Sequence, residues 1–157
     1  MLRIDEREQL AHAIKIFPEV IEQNLESFGR RPPRQVVSVG NSAAHLADSV
    51  AEYFRCPHTP LRAGPKGLSY QNIQFPQGLG TLFVEDYARS GYKIITILNH
   101  NPQLAVGLLI DGRVEKSPHV IRVVYSRDLS ISLDREIKTI EGGQVSSSRI
   151  FYDEFLR

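Results

Sequence analysis

The amino-acid sequence predicts an α/β fold, a three-layer sandwich with a mostly parallel sheet and an N-terminal helix packed outside the core. The first observation behind this prediction is the β-branched run of Val36, Val37 and Val39, because such runs are typical of strands buried on both faces of a parallel sheet. The second is the alternation of helical segments with short apolar runs, which favours a layered α/β architecture. The length of 157 residues fits a single domain with a sizeable core.

The chain is predicted to begin with an amphipathic helix and a linker over residues 1–33, ahead of an α/β core over 34–157. Pro18 lacks an amide hydrogen and is expected to kink or split this helix, and Gly29 is expected to end it. Such a helix is typical of a packing or dimerisation element. Its apolar residues recur at helical spacing: Leu10, Ile14, Phe17, Ile21, Leu25 and Phe28.

Residues 36–54 form the most informative segment, a strand that ends at Gly40, a polar turn, and a helix predicted to begin at Ser42. Backbone N–H groups at the start of a helix have no intrahelical partner, and the helix dipole favours negative charge there. Gly40, Asn41 and Ser42 are therefore candidates for binding a phosphate or a sugar hydroxyl. The alternative is that Gly40 makes the turn while Asn41 or Ser42 caps the helix.

The remaining elements are predicted from apolar runs and turn residues. The segment 56–80 is rich in proline and glycine and is expected to be a long loop with a short strand near Leu61. Four further elements follow: a helix over 81–91, a buried strand over 93–98, a hairpin over 107–115 turning at Asp111-Gly112, and a strand over 120–125.

The last predicted element is a short helix preceded by Ser146, Ser147, Ser148 and Arg149. Three hydroxyl groups, free N–H groups and a guanidinium would suit a second phosphate site. A serine-capped helix with a solvated arginine is the alternative interpretation.

Composition excludes several classes of protein. The net charge of +1 gives no support for a nucleic-acid-binding protein. No apolar run approaches the length of a membrane span, and the N-terminal residues are too charged for a signal peptide. Cys56 is the only cysteine, which favours a reduced, cytoplasmic setting. The five histidines are scattered, so neither a metal site nor a cofactor is predicted.

Three segments in the same order resemble the sugar isomerase (SIS) domain family, and in particular its phosphoheptose isomerase branch. They are VVSVGNSAAHLADSVAEYF, GYKIITILNHNPQLA and VSSSRIFYDEFLR. The resemblance implies a cytoplasmic protein of carbohydrate metabolism that binds a sugar phosphate as a homo-oligomer, a dimer or a tetramer. The most concrete activity it implies is aldose–ketose isomerisation.

The resemblance also implies roles for individual residues. Glu52 matches the acidic residue near the end of the family's first core helix, and would move a proton between adjacent carbons. His100 follows a predicted strand, where ligands gather in parallel sheets, and would be a substitute base. An exposed helical glutamate and a simple turn histidine are the alternatives.

Two departures from the family pattern favour a competing hypothesis. The family's phosphate loop after a central strand has no evident counterpart, and Glu154 stands where the family has a histidine in its last helix. The competing hypothesis is a non-catalytic SIS-like binding or scaffold protein that acts through protein–protein assembly. A third alternative is an unrelated α/β domain that binds a nucleotide. The identity of the sugar phosphate is left open.

Overall fold

The structure is a computed structural model that describes residues 2–62, 70–73, 75, 80–113, 120–141 and 147–156. Helices and strands alternate over most of this length. In chain order they are α1 (Ile4–Ser27), β1 (Gln35–Val39), α2 (Ala44–Phe54), β2 (His58–Leu61), β3 (Thr81–Ala88), α3 (Tyr92–His100), β4 (Ala105–Asp111), β5 (Val120–Tyr125), α4 (Arg127–Glu141) and α5 (Ser147–Leu156).

The five strands form one parallel sheet in the order β2-β1-β3-β4-β5. The predicted α/β fold with a parallel sheet is therefore confirmed. From β1 the chain passes to β2 at one edge and then crosses to β3 on the other side of β1. This reversal creates a crevice at the carboxyl ends of β1 and β3, where open α/β sheets bind their ligands.

Side chains alternate between two apolar clusters on the two faces of the sheet. Val36, Leu82 and Leu109 belong to the cluster under α1, α2, α4 and α5. Val37 and Phe83 belong to the opposite cluster, which α3 covers. The sheet is thus the middle layer of three. Within the described residues, no helix is both long enough and apolar enough to cross a membrane.

Helix α1 runs as one helix across Pro18, so the sequence-based expectation of a split is wrong. Its C-terminal end lies where the sequence predicted it. Gly29 has a φ of +70°, and the amide of Arg30 donates to the carbonyl of Leu25 at 2.8 Å. This is the left-handed helix end for which glycine is favoured.

Two predicted elements have the wrong type. Residues 81–88 form the strand β3 and not a helix, and residues 93–98 lie in the helix α3 and not in a strand. Short apolar runs do not distinguish buried strands from buried helices by periodicity. In α3 the buried side chains are Ile94 and Ile97, three positions apart as in a helix.

The hairpin predicted over 107–115 is also wrong, because β4 lies between β3 and β5, which both run parallel to it and leave no side for an antiparallel partner. Residues 114–119 lie outside the described residues. The Asp111-Gly112 pair ends β4 rather than forming a tight hairpin turn. A Cβ at Gly112 would collide with the hydroxyl of Ser130 and lie 2.9 Å from the carbonyl of Ala88, so this glycine permits close packing.

Candidate functional site

A cleft of about 510 Å³ lies beyond the carboxyl end of β3, between the β3–α3 turn and helix α4. This position agrees with the general location of ligands in open parallel sheets. Four cationic and two acidic side chains line it, namely Arg89, Lys93, Arg127 and Lys138 with Glu85 and Asp134.

The turn Arg89-Ser90-Gly91 leads into α3 and forms one wall of the cleft. Gly91 has a φ of +80°, which glycine adopts without strain. The Ser90 hydroxyl accepts a hydrogen bond from the amide of Tyr92 at 3.3 Å. Within the described residues, the amides of Lys93 and Ile94 donate to no protein acceptor. The start of α3 therefore offers free N–H groups and a positive dipole end to an anion.

Lys93 connects the cleft to the end of β1. Its ammonium donates to the carbonyl of Val39 at 2.6 Å and pairs with the Glu85 carboxyl group at 2.6 Å. It also lies 5.9 Å from the centre of the Tyr70 ring. Burial raises the pKa of Glu85 to about 8, although the nearby Lys93 acts in the opposite direction. Burial and the neighbouring Asp86 thus oppose the ionisation of Glu85, while the Lys93 ammonium favours it.

Asp134 of α4 is the second acidic group of the cleft. Its carboxylate accepts hydrogen bonds from the Tyr87 hydroxyl at 2.9 Å and from Arg89 at 3.1 Å, and it pairs with Lys138 at 3.1 Å. Burial alone would raise the pKa of Asp134, but these three donors hold it below its ordinary value. Asp134 is therefore an ionised carboxylate at neutral pH.

Two further buried acids lie at the carboxyl ends of β3 and β4. Asp86 accepts a hydrogen bond from the Tyr152 hydroxyl at 2.7 Å, and burial raises the pKa of that tyrosine. Asp111 accepts from the guanidinium of Arg113 at 2.9 and 3.0 Å and from Arg122 at 3.4 Å. Burial opposes ionisation of Asp111, yet Arg113 keeps its pKa below the ordinary value.

The structure places the predicted Gly40-Asn41-Ser42 turn at the same edge of the sheet as the cleft. Gly40 has a φ of +89°, and a Cβ there would lie 3.7 Å from the Lys93 ammonium. Helix α2 begins at Ala44, two residues later than predicted, and its N-cap residue is Ala43. Ligand binding by this turn and capping by Asn41 or Ser42 both stay predictions.

The two predicted acid–base residues, Glu52 and His100, lie at the opposite edge of the sheet. Since α2 and α3 each return the chain to the start of a parallel strand, their last turns lie at the amino ends of the strands. Both side chains are exposed, and His100 Nδ1 donates to the carbonyl of Thr96 at 3.0 Å. The structure does not bring either residue to the cleft.

The predicted second anion site falls largely outside what the structure describes. Ser146 lies outside the described residues, and Ser147, Ser148 and Arg149 form the first turn of α5. Their participation in ligand binding stays a prediction.

Ser38, His58 and Asp48 form a chain of contacts with the residue types of a nucleophilic triad. Ser38 Oγ and His58 Nε2 are 2.7 Å apart, and His58 Nδ1 and Asp48 Oδ1 are 2.5 Å apart. Ser38 is completely buried within β1, so its hydroxyl cannot reach a substrate. The chain instead joins β1, β2 and α2.

Sequence reasoning missed the β3–α3 wall of the cleft and the residues of α4. The available signal was the segment Val84-Glu85-Asp86 followed by Ser90-Gly91, an apolar run leading through two acids into a small-residue turn. Assigning 81–91 to a helix concealed this strand–turn–helix unit. Asp134 and Lys138 carry no local signal, because only the packing of α4 brings them to the cleft.

Comparison with known proteins identifies the fold. The sequence matches no protein-family model and no curated protein. Among solved structures it is similar to a purine phosphoribosyltransferase from Pyrococcus horikoshii, with a TM-score of 0.51, 11% identity, and coverage of 76% of this chain and 84% of that chain. It is also similar to the xanthine-guanine-hypoxanthine phosphoribosyltransferase of Helicobacter pylori, with a TM-score of 0.51, 14% identity, and coverage of 79% and 92%.

These neighbours overturn the identification made from sequence. The chain shares its fold with phosphoribosyltransferases, so the assignment to the SIS family and to carbohydrate metabolism is wrong. The sugar-phosphate partner, the isomerase activity and the alternative of a non-catalytic SIS-like scaffold are wrong for the same reason. A strand, a glycine turn and a helix recur in many parallel α/β folds, and the order of three such segments does not separate them.

Proposed function

We propose that this chain binds a 5-phosphoribosyl compound in the cleft and transfers its phosphoribosyl group to a purine base. The fold shared with two purine phosphoribosyltransferases supports the class of reaction. The observation that carries the proposal for this chain is the start of α3, where free amides and cationic side chains meet at the carboxyl end of β3. Likeness of fold alone would not indicate a function.

In this proposal the ligand's 5′-phosphate lies against the first turn of α3. The amides of Lys93 and Ile94 and the hydroxyl of Ser90 would donate to its oxygens, and Arg89 would add a guanidinium from the preceding turn. Charge-assisted hydrogen bonds of this kind are short and strong. The helix dipole adds to the attraction.

Transfer would break the bond between C1 of the ribose and a diphosphate leaving group and form a bond between C1 and a ring nitrogen of the base. The base loses a proton to solvent, and the diphosphate leaves with the electron pair of the broken bond. Arg127 and Lys138, across the cleft from the start of α3, are placed to stabilise the charge on the leaving group. Cations close to the departing diphosphate lower the barrier by offsetting the charge that develops on it.

Calorimetric titration with GMP and with 5-phosphoribosyl diphosphate tests the binding step, and guanosine serves as the phosphate-free control. We expect both phosphorylated compounds to bind and to raise the melting temperature, because a ligand that binds only the folded state stabilises it. Arg89→Met should weaken binding at least tenfold. Arg135→Met is the matched control, since Arg135 is exposed on α4 but does not line the cleft.

Incubation of 5-phosphoribosyl diphosphate with guanine, hypoxanthine or xanthine tests the transfer step. The expected product is the corresponding nucleoside monophosphate together with diphosphate. Binding of neither phosphorylated compound at millimolar concentration would refute the proposal. Binding without product from any of the three bases would limit the function to ligand recognition and refute the transfer step.

A further inference from the structure

We infer that Asp134 is an internal competitor for the anionic ligand and thereby sets the affinity of the cleft. This inference rests on the proposed function, because it concerns the same cleft. It assigns a role to a residue that carries no local sequence signal. Asp134 acts through the two cations that it binds, Arg89 and Lys138. It is therefore an affinity-determining residue and not a catalytic one.

The geometry places two of the cleft's four cations on a single carboxylate oxygen. Arg89 Nη1 and Lys138 Nζ both lie 3.1 Å from Asp134 Oδ2, while the Tyr87 hydroxyl donates to Oδ1 at 2.9 Å. A phosphate entering the cleft needs the same donors. Every contact that Arg89 or Lys138 makes with Asp134 is a contact that the ligand must replace or share.

The Asp134 carboxylate is held in place, whereas the side chains of Arg89 and Lys138 can move. The Asp134 side chain is 8% exposed, whereas the side chains of Arg89 and Lys138 are 51% and 70% exposed. Long side chains whose ends reach solvent change rotamer readily. Arg89 and Lys138 can therefore turn from Asp134 towards a ligand, while the Tyr87 hydroxyl continues to bond the carboxylate left behind.

Asp134→Asn tests this directly, because it keeps the shape of the side chain and removes the charge. We expect GMP to bind the variant about threefold to tenfold more tightly than the wild type at the same low salt concentration. Damage to the cleft would weaken binding, so a gain in affinity cannot come from disruption alone. Asp134→Glu keeps the charge and is expected to show no gain.

Two double variants test whether the gain in affinity depends on Arg89. Adding Arg89→Met to Asp134→Asn should cancel most of the gain, whereas adding Arg135→Met should leave the gain intact. If Asp134→Asn does not fold, carboxyl ¹³C NMR of the wild type gives the answer. Saturation with GMP should shift the Asp134 carboxyl resonance, because Arg89 leaves the carboxylate or shares its contact with the 5′-phosphate.

The outcomes separate the two proposals. Failure of GMP to bind both the wild type and Asp134→Asn would refute the proposed function, and the role of Asp134 with it. GMP binding to the wild type with equal or weaker binding to Asp134→Asn would refute the role of Asp134 alone. An unchanged Asp134 resonance in the GMP-saturated wild type would also refute that role.

Discussion

Buried acidic side chains at the carboxyl edge of the sheet each lie against a specific donor. Lys93 pairs with Glu85, and Arg113 pairs with Asp111. The Tyr152 hydroxyl donates a hydrogen bond to Asp86. Burying a charged group costs free energy unless hydrogen bonds and opposite charges compensate for the lost hydration. Among the described residues, no buried side-chain nitrogen or oxygen atom lacks a hydrogen-bond partner. Removing one partner would therefore leave a buried group uncompensated.

Glu85 should make stability fall as pH rises. Its pKa is about 8 in the folded chain against an ordinary value of 4.5, so between these values the folded state holds a proton that the unfolded state has lost. Its contribution is complete below pH 4.5 and disappears as pH rises through 8. Relative to Glu85→Gln, the wild type should lose about 3–4 kcal/mol of unfolding free energy between pH 5 and 8, measured by urea denaturation.

A second variant separates ionisation from packing in this measurement. Glu85→Met cannot ionise either, so its stability relative to the wild type should change with pH by the same amount, whatever its absolute stability. A difference between wild type and Glu85→Gln that is constant from pH 5 to pH 8 would contradict the raised pKa.

Arg55 at the end of α2 is strained, and Arg55→Gly should stabilise the protein. Arg55 has a φ of +55°, and the amide of Cys56 bonds back to the carbonyl of Ala51 at 3.0 Å, which fixes this left-handed helix end. The left-handed conformation costs a non-glycine residue about 1–2 kcal/mol. Glycine avoids this cost, but it loses more conformational entropy on folding, which reduces the net gain. We expect a gain of about 0.5–1 kcal/mol by chemical denaturation.

Arg55→Ala is the control for this prediction. It removes the exposed side chain but keeps the strained Cβ, so its stability should stay within about 0.5 kcal/mol of the wild type. An equal gain from alanine would mean that the side chain, and not the backbone, causes the strain.

At the scale of elements, α1 packs directly on β4 because Gly107 has no side chain. A Cβ at Gly107 would lie 2.9 Å from Cδ1 of Ile21 and 3.6 Å from Cζ of Phe17. Both helix residues are fully buried, so neither can turn away into solvent. The close approach of helix and strand therefore depends on one glycine.

Gly107→Ala should destabilise the protein by about 1–3 kcal/mol through overpacking. Ile21→Val removes the atom nearest to the new methyl group and should by itself cost about 0.5–1.5 kcal/mol. The double variant should be at least 0.5 kcal/mol more stable than the sum of the two losses predicts. Equilibrium denaturation of the four proteins measures this coupling, and strict additivity would show that Ile21 does not oppose the methyl group.

Element type was the least predictable part of the fold. The valines of β1 were assigned correctly because β-branched runs favour strands. Residues 93–98 are equally rich in isoleucine, yet they form α3, since packing of Ile94 and Ile97 against the sheet outweighs local propensity. The strand β3 was mistaken for a helix because Glu85 and Asp86 interrupt its apolar pattern. They are buried only because Lys93 and Tyr152 compensate them.

At the scale of the whole molecule, α5 joins three parts of the fold through three successive residues. Tyr152 bonds Asp86 of β3, Asp153 lies 2.6 Å from His45 of α2, and Glu154 pairs with Arg7 of α1 at 2.8 Å. None of these contacts is local in sequence. The stability of the sheet therefore depends on this helix.

Tyr152→Phe should cost about 1–3 kcal/mol, because it removes the tyrosine hydroxyl that donates to the buried Asp86 carboxyl group. Glu154→Gln is the matched control on the same helix. Its partner is exposed, and exposed pairs contribute between zero and 1 kcal/mol. Thermal and urea unfolding of both variants provide the measurement. Equal losses would show that the Asp86–Tyr152 bond contributes no more than a surface pair.

The position of the cleft in the fold could be predicted better than the side chains that line it. The edge of the sheet follows from Gly40 at the end of a parallel strand, and the cleft lies at that edge. Its other side chains could not be predicted, since Arg89 and Asp134 meet across 45 residues of sequence. The resemblance to the SIS family was wrong because the three segments describe a supersecondary unit common to many folds.

The hydrogen bond between Asp86 and Tyr152 can form only late in protein synthesis. The central strand β3 leaves the ribosome long before α5, and until then its acid has no tyrosine donor and one apolar face lacks Phe151 and Tyr152. Strands whose apolar face is still exposed are prone to aggregate. The sheet can therefore reach its full stability only after residue 152 has left the ribosome and α5 has packed against it.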